Sequence, residues 1–234
     1  MRRSVRTLGA VMVAGGLLTL AWAMLVWQWE DPFTALYTKW KQHQLAQSYD
    51  RLLAQYRSPP LKRGISLAAE VRSVRRAATS YRTEMHRGQA IGRIVIGRIG
   101  LSMILVDGTD HDSLMKGPGR DLRTFMPGQN RLVYIAGHRT TYLAPFSHID
   151  QIRAGDYVAL DMPYGRFTYR AYTHRVVPAG DLAVLKSPKH ELLELQACHP
   201  RFFATHRYIV YAKLVSVRPR GGGRPFAPEA VAAG

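Results

Sequence analysis

Leu192-Leu193-Glu194-Leu195-Gln196-Ala197-Cys198-His199-Pro200-Arg201, followed by Arg207-Tyr208-Ile209-Val210-Tyr211, reads as strand, loop, strand. Leu192 to Leu195 is a short apolar run, and Gln196, Ala197 and Cys198 continue it. His199-Pro200-Arg201 then breaks the ladder, because proline has no N–H to donate. The thiol of Cys198 therefore stands at a strand end facing a loop, where a substrate can reach it. Arg207 follows nine residues later and opens the next strand. Antiparallel strands joined by such a loop place Cys198 and Arg207 side by side at one sheet edge. A guanidinium at that edge can hydrogen-bond a developing oxyanion.

The same texture extends upstream to Ala90. Ile91-Gly92-Arg93-Ile94-Val95-Ile96, Leu101 to Val106, Arg131 to Ala136, Tyr157 to Leu160, Phe167 to Val177 and Tyr208 to Val217 are short runs rich in β-branched and aromatic residues. Turn groups separate them: Asp107-Gly108, Gly117-Pro118-Gly119, Pro127-Gly128, Gly155-Asp156, Pro163-Tyr164-Gly165 and Ser187-Pro188. The pattern predicts a mostly β domain of seven to eight strands, as a closed barrel or a sandwich. From Arg218 the chain is rich in Gly, Pro and Ala, which predicts a disordered tail over 218–234.

Ahead of Ala90 the chain changes character twice. Arg2, Arg3 and Arg6 precede an uncharged run of 23 residues from Thr7 to Trp29. About 20 apolar residues in a helix cross the hydrocarbon core. Trp22, Trp27 and Trp29 suit the membrane–water interface, and the basic end should stay inside. Ala21-Trp22-Ala23 resembles a signal-peptide cleavage site. Met24-Leu25-Val26-Trp27 carries the apolar run past it, which favours an uncleaved anchor over residues 1–29. Either reading exports the rest of the chain. Residues 30–89 form a helical, basic stalk: an amphipathic helix over 33–57, on Leu36, Trp40, Leu45, Tyr49, Leu53 and Tyr56, then an Arg-rich solvated spacer over 61–88.

The chain of 234 residues carries 33 Lys and Arg against 16 Asp and Glu, a formal charge of +17. That charge attracts polyanions. Export excludes cytoplasmic nucleic acid and leaves lipid headgroups and wall polymers. Cys198 is the single cysteine, so it forms no internal disulfide and is either an inert core thiol or a reactive one. A reactive thiol needs a cation and a proton carrier nearby. His138 lies 60 residues upstream in Ile135-Ala136-Gly137-His138-Arg139, also just past an apolar strand. His174, His190, His199 and His206 match no standard zinc spacing with Cys198, and the closely spaced Asp107, Asp110 and Asp112 fit ordinary turn chemistry. No metal and no cofactor is expected.

His138, Cys198 and Arg207, in that order, resemble the sortases. Ala136-Gly137-His138-Arg139-Thr140-Thr141-Tyr142 is similar to the family's histidine motif. Leu195-Gln196-Ala197-Cys198-His199-Pro200-Arg201 with Arg207-Tyr208-Ile209-Val210 is similar to its cysteine–arginine motif. Ala90-Ile91-Gly92-Arg93-Ile94, Leu114 to Gly119, Ala144-Pro145-Phe146 and Arg153 to Asp156 fit further landmarks. The resemblance spans roughly 90–217 and is strongest to class E enzymes of actinobacteria. It implies a closed β-barrel and a membrane-anchored cysteine transpeptidase with its catalytic domain outside the cell. Cys198 would be the nucleophile, His138 the acid/base and Arg207 the oxyanion partner. Tyr142, Thr141 and Ala197 would be substrate-binding, with Ala197 standing where the family usually has Thr. The implied substrates are exported proteins with a Leu-Ala-x-Thr-Gly or Leu-Pro-x-Thr-Gly sorting signal, cut between Thr and Gly. The implied acceptor is the amine of a lipid-linked peptidoglycan precursor. Two alternatives are a pilin-polymerising sortase, for which no long lid-like insertion precedes the histidine motif, and a non-catalytic tethered domain that binds anionic wall polymer.

Overall fold

The computed structural model describes residues 2–28, 32–57 and 66–227. Its centre is a closed barrel of eight strands: β1 (Ala90–Ile96), β2 (Leu101–Asp107), β3 (Gly119–Arg120), β4 (Leu132–Ala136), β5 (Tyr157–Met162), β6 (Gly165–Pro178), β7 (Leu192–His199) and β8 (His206–Pro219). Around the barrel the order is β1-β2-β3-β4-β7-β8-β6-β5, closing back on β1. Closure removes the unpaired edges that an open sheet of this size would expose. β2–β3 and β4–β7 are parallel, and the other pairs are antiparallel. The two-residue β3 escapes sequence reading because so short a segment has no period of its own.

Alternation along the strands sorts side chains between two faces. Ile94, Ile96, Val133, Ile135, Leu193, Leu195, Ala197, Val210 and Ala212 fill the barrel interior. On the outside of β4, β7 and β8, Leu132, Tyr134, Ala136, Leu192 and Ile209 form a second buried cluster. Val177, Val184 and Leu185 pack on it, the last two from a short 3-10 helix, Leu182–Leu185.

Three longer helices precede the barrel: α1 (Arg2–Gln28), α2 (Pro32–Gln55) and α3 (Leu67–Glu84). Within α1, Arg3–Met24 is long and apolar enough to cross a membrane, with mean hydropathy 1.7. Trp29, Glu30 and Asp31 lie outside the described residues. α2 is docked on the barrel. The Gln42 side chain accepts from Ile104 N at 2.7 Å and donates to the carbonyls of Ile104 and Lys116, so it extends the edge of β2 as a peptide group would. The Tyr49 hydroxyl donates to Asp161 O at 2.7 Å.

α3 corrects the expectation of a solvated spacer. Val74, Ala78 and Tyr81 recur at helical spacing, are buried, and join the barrel's own core. The Tyr81 hydroxyl donates to Ile91 O. Arg72, Arg75, Arg76 and Arg82 are interleaved with them, and these arginines hid the narrow apolar stripe. The disordered-tail expectation also fails in part. β8 runs to Pro219, and Phe226 forms a two-way bridge with Val217, at 2.8 and 2.9 Å. Residues 228–234 lie outside the described part.

Buried polar groups lock the barrel. Arg120 and Asp107 are both buried and paired at 2.6 Å, and Arg120 also donates to the carbonyls of Asp121 and Thr124. Asp107 is therefore a core ion-pair partner rather than a turn residue. Asp110 does the turn work, capping the short helix α4 (His111–Leu114) by accepting from Ser113 N. Glu191 accepts from Gly128 N, Asn130 N and the Tyr169 hydroxyl.

Glu194 is different: its Oε2 is buried without a partner, and burial pushes its carboxyl up to about 8. A folded-state value above the unfolded 4.5 means the native state holds the proton more tightly, so stability is lost as pH rises from 4.5 through 8. Glu194→Gln should remove this loss. The gap in Tm between variant and parent is expected to be small near pH ~4 and to widen in favour of the variant up to pH ~8. A gap that does not change with pH would refute the assignment.

Candidate active site

The site is built by strand register. β4 and β7 are parallel neighbours with Leu132↔Leu192, Tyr134↔Glu194 and Ala136↔Gln196. The ladder runs one bond further, Gly137 N to Gln196 O at 3.0 Å. Two residues on, His138 falls opposite Cys198. On the other side of β7 the antiparallel ladder pairs Cys198 with Arg207. Odd and even positions alternate in facing. His138, Cys198 and Arg207 thus share one row on the outer face, directly above the row Ala136–Gln196–Ile209. By this register the three residues singled out from sequence meet at one end of three adjacent strands, His138 two residues past β4, Cys198 on β7 and Arg207 on β8.

Each flank of this row is held by specific contacts. Gly137 lets the histidine loop fold tightly: a Cβ there would meet the Phe146 ring at 2.6 Å. Phe146 N donates to His138 O at 3.0 Å. His138 is half-buried and its Nε2 is buried without a hydrogen-bond partner, leaving one ring nitrogen free for a reacting group. Burial, and then the nearby His111, lower the His138 pKa below its ordinary 6.5. The neutral imidazole is therefore favoured in the free protein. Arg207 Nη1 donates to the carbonyls of Ala204 and His206. A guanidinium has five N–H donors, so the backbone fixes one corner of the fork and leaves Nε and Nη2 to act.

Tyr142 stands beside the imidazole, ring centroids 5.0 Å apart, and meets His111 edge-on at 6.1 Å. Tyr142, Leu143 and Ala144 all have positive φ, 55°, 59° and 35°. Such conformations cost non-glycine residues of order 1–2 kcal/mol each. Three hydrogen bonds hold them: Ala144 N to Thr141 O, Ser147 N to Ala144 O, and Tyr142 N to the Thr34 hydroxyl of α2. Thr141 lies half-buried in this loop. Ala197 does not face the row. Its methyl is fully buried in the barrel interior, so only its main chain can meet a substrate. The alternation that points Cys198 outward necessarily points residue 197 inward.

Arg139 belongs to the histidine motif, and its sequence neighbours alone point to no role for it. In the structure its side chain is buried and makes three contacts: Nη1 to Cys198 O at 3.3 Å, Nη1 to His199 Nδ1 at 2.9 Å, and Nη2 to Asp150 at 3.1 Å. Its guanidinium also lies over the Tyr208 ring. Arginine only donates, so in this contact His199 Nδ1 is the acceptor. Arg139 ties the residue after His138 to the main chain of Cys198. Its one sequence signal was its place beside the histidine. Phe202 and Phe203, on the β7–β8 loop that follows Cys198, are both exposed. Among the described residues no group of three or more His, Cys, Asp or Glu is placed to hold a metal ion.

A thiol set between an imidazole and a guanidinium on adjacent strands of a closed barrel is the architecture of a cysteine transpeptidase. The chain belongs to the sortase family, whose domain model matches residues 94–215. It is 34% identical over 134 residues to Sortase D of Bacillus subtilis, covering 55% of this chain and 66% of that protein. It is 32% identical over 116 residues to Sortase SrtE1 of Streptomyces coelicolor, covering 45% and 33%. Among solved structures, sortase E from Streptomyces avermitilis superposes with TM-score 0.53 at 30% identity, over 60% of this chain and 97% of that one. A Clostridium perfringens Sortase D5 transpeptidase does so with TM-score 0.53 at 27% identity, over 63% and 94%.

Arg139→Ala should loosen Cys198 against His138. An ångström of misplacement costs on the order of a hundredfold, so in protein that stays folded kcat should fall ten- to a hundredfold while KM changes little, and Tm should drop because a buried, paired side chain is lost. Arg139→Lys should recover little, since one ammonium cannot span three partners. An unchanged kcat in Arg139→Ala would remove Arg139 from the machinery.

Proposed function

We propose that this protein is a membrane-anchored transpeptidase that cleaves a C-terminal sorting signal, Leu-Ala-x-Thr-Gly or Leu-Pro-x-Thr-Gly, between Thr and Gly. It then transfers the acyl group to the amine of a lipid-linked cell-wall precursor. The observation that carries this reading is the single row His138–Cys198–Arg207, fixed by the two ladders of β7. α1 serves as the anchor, with Arg2, Arg3 and Arg6 on the cytoplasmic side and the barrel outside.

The steps follow from the groups in the row. Neutral His138 takes the Cys198 proton, and the thiolate attacks the Thr carbonyl carbon. Arg207 donates hydrogen bonds to the oxyanion through the corner its loop leaves free. The tetrahedral intermediate collapses, the C–N bond to Gly breaks, and the His138 imidazolium gives its proton to the leaving amine. A Cys198 thioester remains. The acceptor amine attacks it, His138 takes the amine proton, and the returning thiolate recovers that proton as the new amide forms. The kinetics should be ping-pong. Tyr142, beside the imidazole, lines the path of the residues preceding the scissile bond, with Thr141 next to it.

The full chain in detergent, given Leu-Ala-x-Thr-Gly and Leu-Pro-x-Thr-Gly peptides with a small amine, should release the Gly-containing fragment and form the amide. Cys198→Ala should abolish both and the thioester seen by mass spectrometry. Folded protein that turns over neither peptide and forms no thioester would refute the reading. The pH profile supplies a second check. Because neutral His138 starts the reaction, kcat/KM should fall on the acid side with a limb below 6.5. His111→Gln removes one of the two causes and should move that limb upward. A limb that stays in place would separate His111 from His138.

A further inference from the structure

α2 has two unlike faces. One is docked on the barrel: Thr38 is fully buried with its hydroxyl on Met115 O, Gln42 is bonded to β2, and Tyr49 is bonded to Asp161 O. On the opposite face Leu36, Tyr37 and Trp40 are 70%, 38% and 53% exposed. Four turns of the same stripe do not stay apolar. Gln44, Gln47 and Arg51 continue it, and all three are exposed. The apolar part is confined to the first turns, immediately after α1.

Leu and two aromatics at the start of a stripe, polar groups further along, and lysines at the margin make the composition of a helix entering an interface. Lys39 flanks the patch, and Lys41 Nζ lies over the Trp40 ring at 4.4 Å and the Tyr37 ring at 5.6 Å. Aromatic side chains favour the headgroup level. Lysines at that level meet anionic lipid. At 1.5 Å per residue, Leu36 to Arg51 spans roughly 22 Å, enough to pass from the acyl boundary into water.

We infer that the Leu36–Tyr37–Trp40 face of α2 lies in the headgroup layer of an anionic membrane, and that α2 thereby holds the catalytic row at the membrane surface. The inference rests on α1 being the anchor. The link to the row is short: the Thr34 hydroxyl, on the first turn of α2, holds Tyr142 N in the left-handed loop beside His138. The partner is phospholipid with an acidic headgroup, and the contact places the thiol where a lipid-linked amine and an emerging exported chain can both reach it.

Trp40 reports on its own surroundings once Trp22, Trp27 and Trp29 are changed to Phe. This full-length single-tryptophan chain is placed in nanodiscs of phosphatidylglycerol and phosphatidylcholine, with or without bromine high on the acyl chains. Trp40 emission is expected to be blue-shifted relative to detergent-free aqueous loops and strongly quenched by the brominated lipid. Chain retained in the discs with Trp40 red-emitting and unquenched would overturn the inference while leaving the anchor intact. Chain not retained in the discs would overturn the anchor, and the inference with it. Leu36→Ser with Trp40→Ser should lower peptide turnover in discs and leave it unchanged in detergent. Equal turnover in discs would sever the surface from catalysis.

Discussion

Strand β7 has a parallel neighbour on one side and an antiparallel neighbour on the other, and everything at the site depends on both ladders keeping register. A slip of one residue in either would turn the side chains of that strand to the opposite face. Cys198 would then point into the core, or lose His138 or Arg207 as its neighbour. The closed barrel supplies the resistance to slipping. Leu193, Leu195 and Ala197 fill its interior, and Leu132, Leu192 and Ile209 are covered outside, so both faces of β7 are specified.

Register sets the row, but it does not set the angles within it. Those come from the two loops that end β4 and β7. Arg139 bonds the Cys198 carbonyl and His199 Nδ1, and is itself held by Asp150. Arg207 is steadied by the carbonyls of Ala204 and His206. In both cases a guanidinium uses some of its donors on the backbone, and in Arg207 the Nε and Nη2 groups are left over from those two bonds. Among the described residues no carboxylate is hydrogen-bonded to His138 in the manner of a three-part triad. The ring is set instead by Tyr142 and by its own burial, and burial also favours its neutral form. A neutral base beside a thiol suits a reaction that begins by moving the thiol proton.

α2 and α3, in front of the barrel, pack on it and are part of the same folded unit. α3 contributes Val74, Ala78 and Tyr81 to the core. α2 braces β2 through Gln42 and the histidine loop through Thr34. A strained loop of three consecutive left-handed residues persists only where its surroundings hold it, and here one of the holding groups, the Thr34 hydroxyl, comes from the first turn of α2.

Local chemistry made much of this legible in the sequence. Uninterrupted apolarity marked α1, β-branched runs between turn groups marked seven strands, and Pro200 marked the end of β7. The lone cysteine, the strand-end histidine and the nine-residue gap to Arg207 marked the row, and the resemblance joined them. These signals are carried by covalent neighbours, so they survive without coordinates. The facing of Ala197, expected at the site and found with its methyl in the core, was not legible because facing follows from register, which is a relation between strands. The α3 stripe, the β3 pair, the Asp107–Arg120 pair and the Val217–Phe226 bridge were missed for the same kind of reason. Each depends on what lies across from a residue rather than beside it. The sequence by itself offered the candidate reactive residues, the approximate course of most strands and one apolar segment long enough to cross a membrane. Only the tertiary structure decided which face each residue took and which distant groups it met, because burial and pairing are made between segments far apart in the chain.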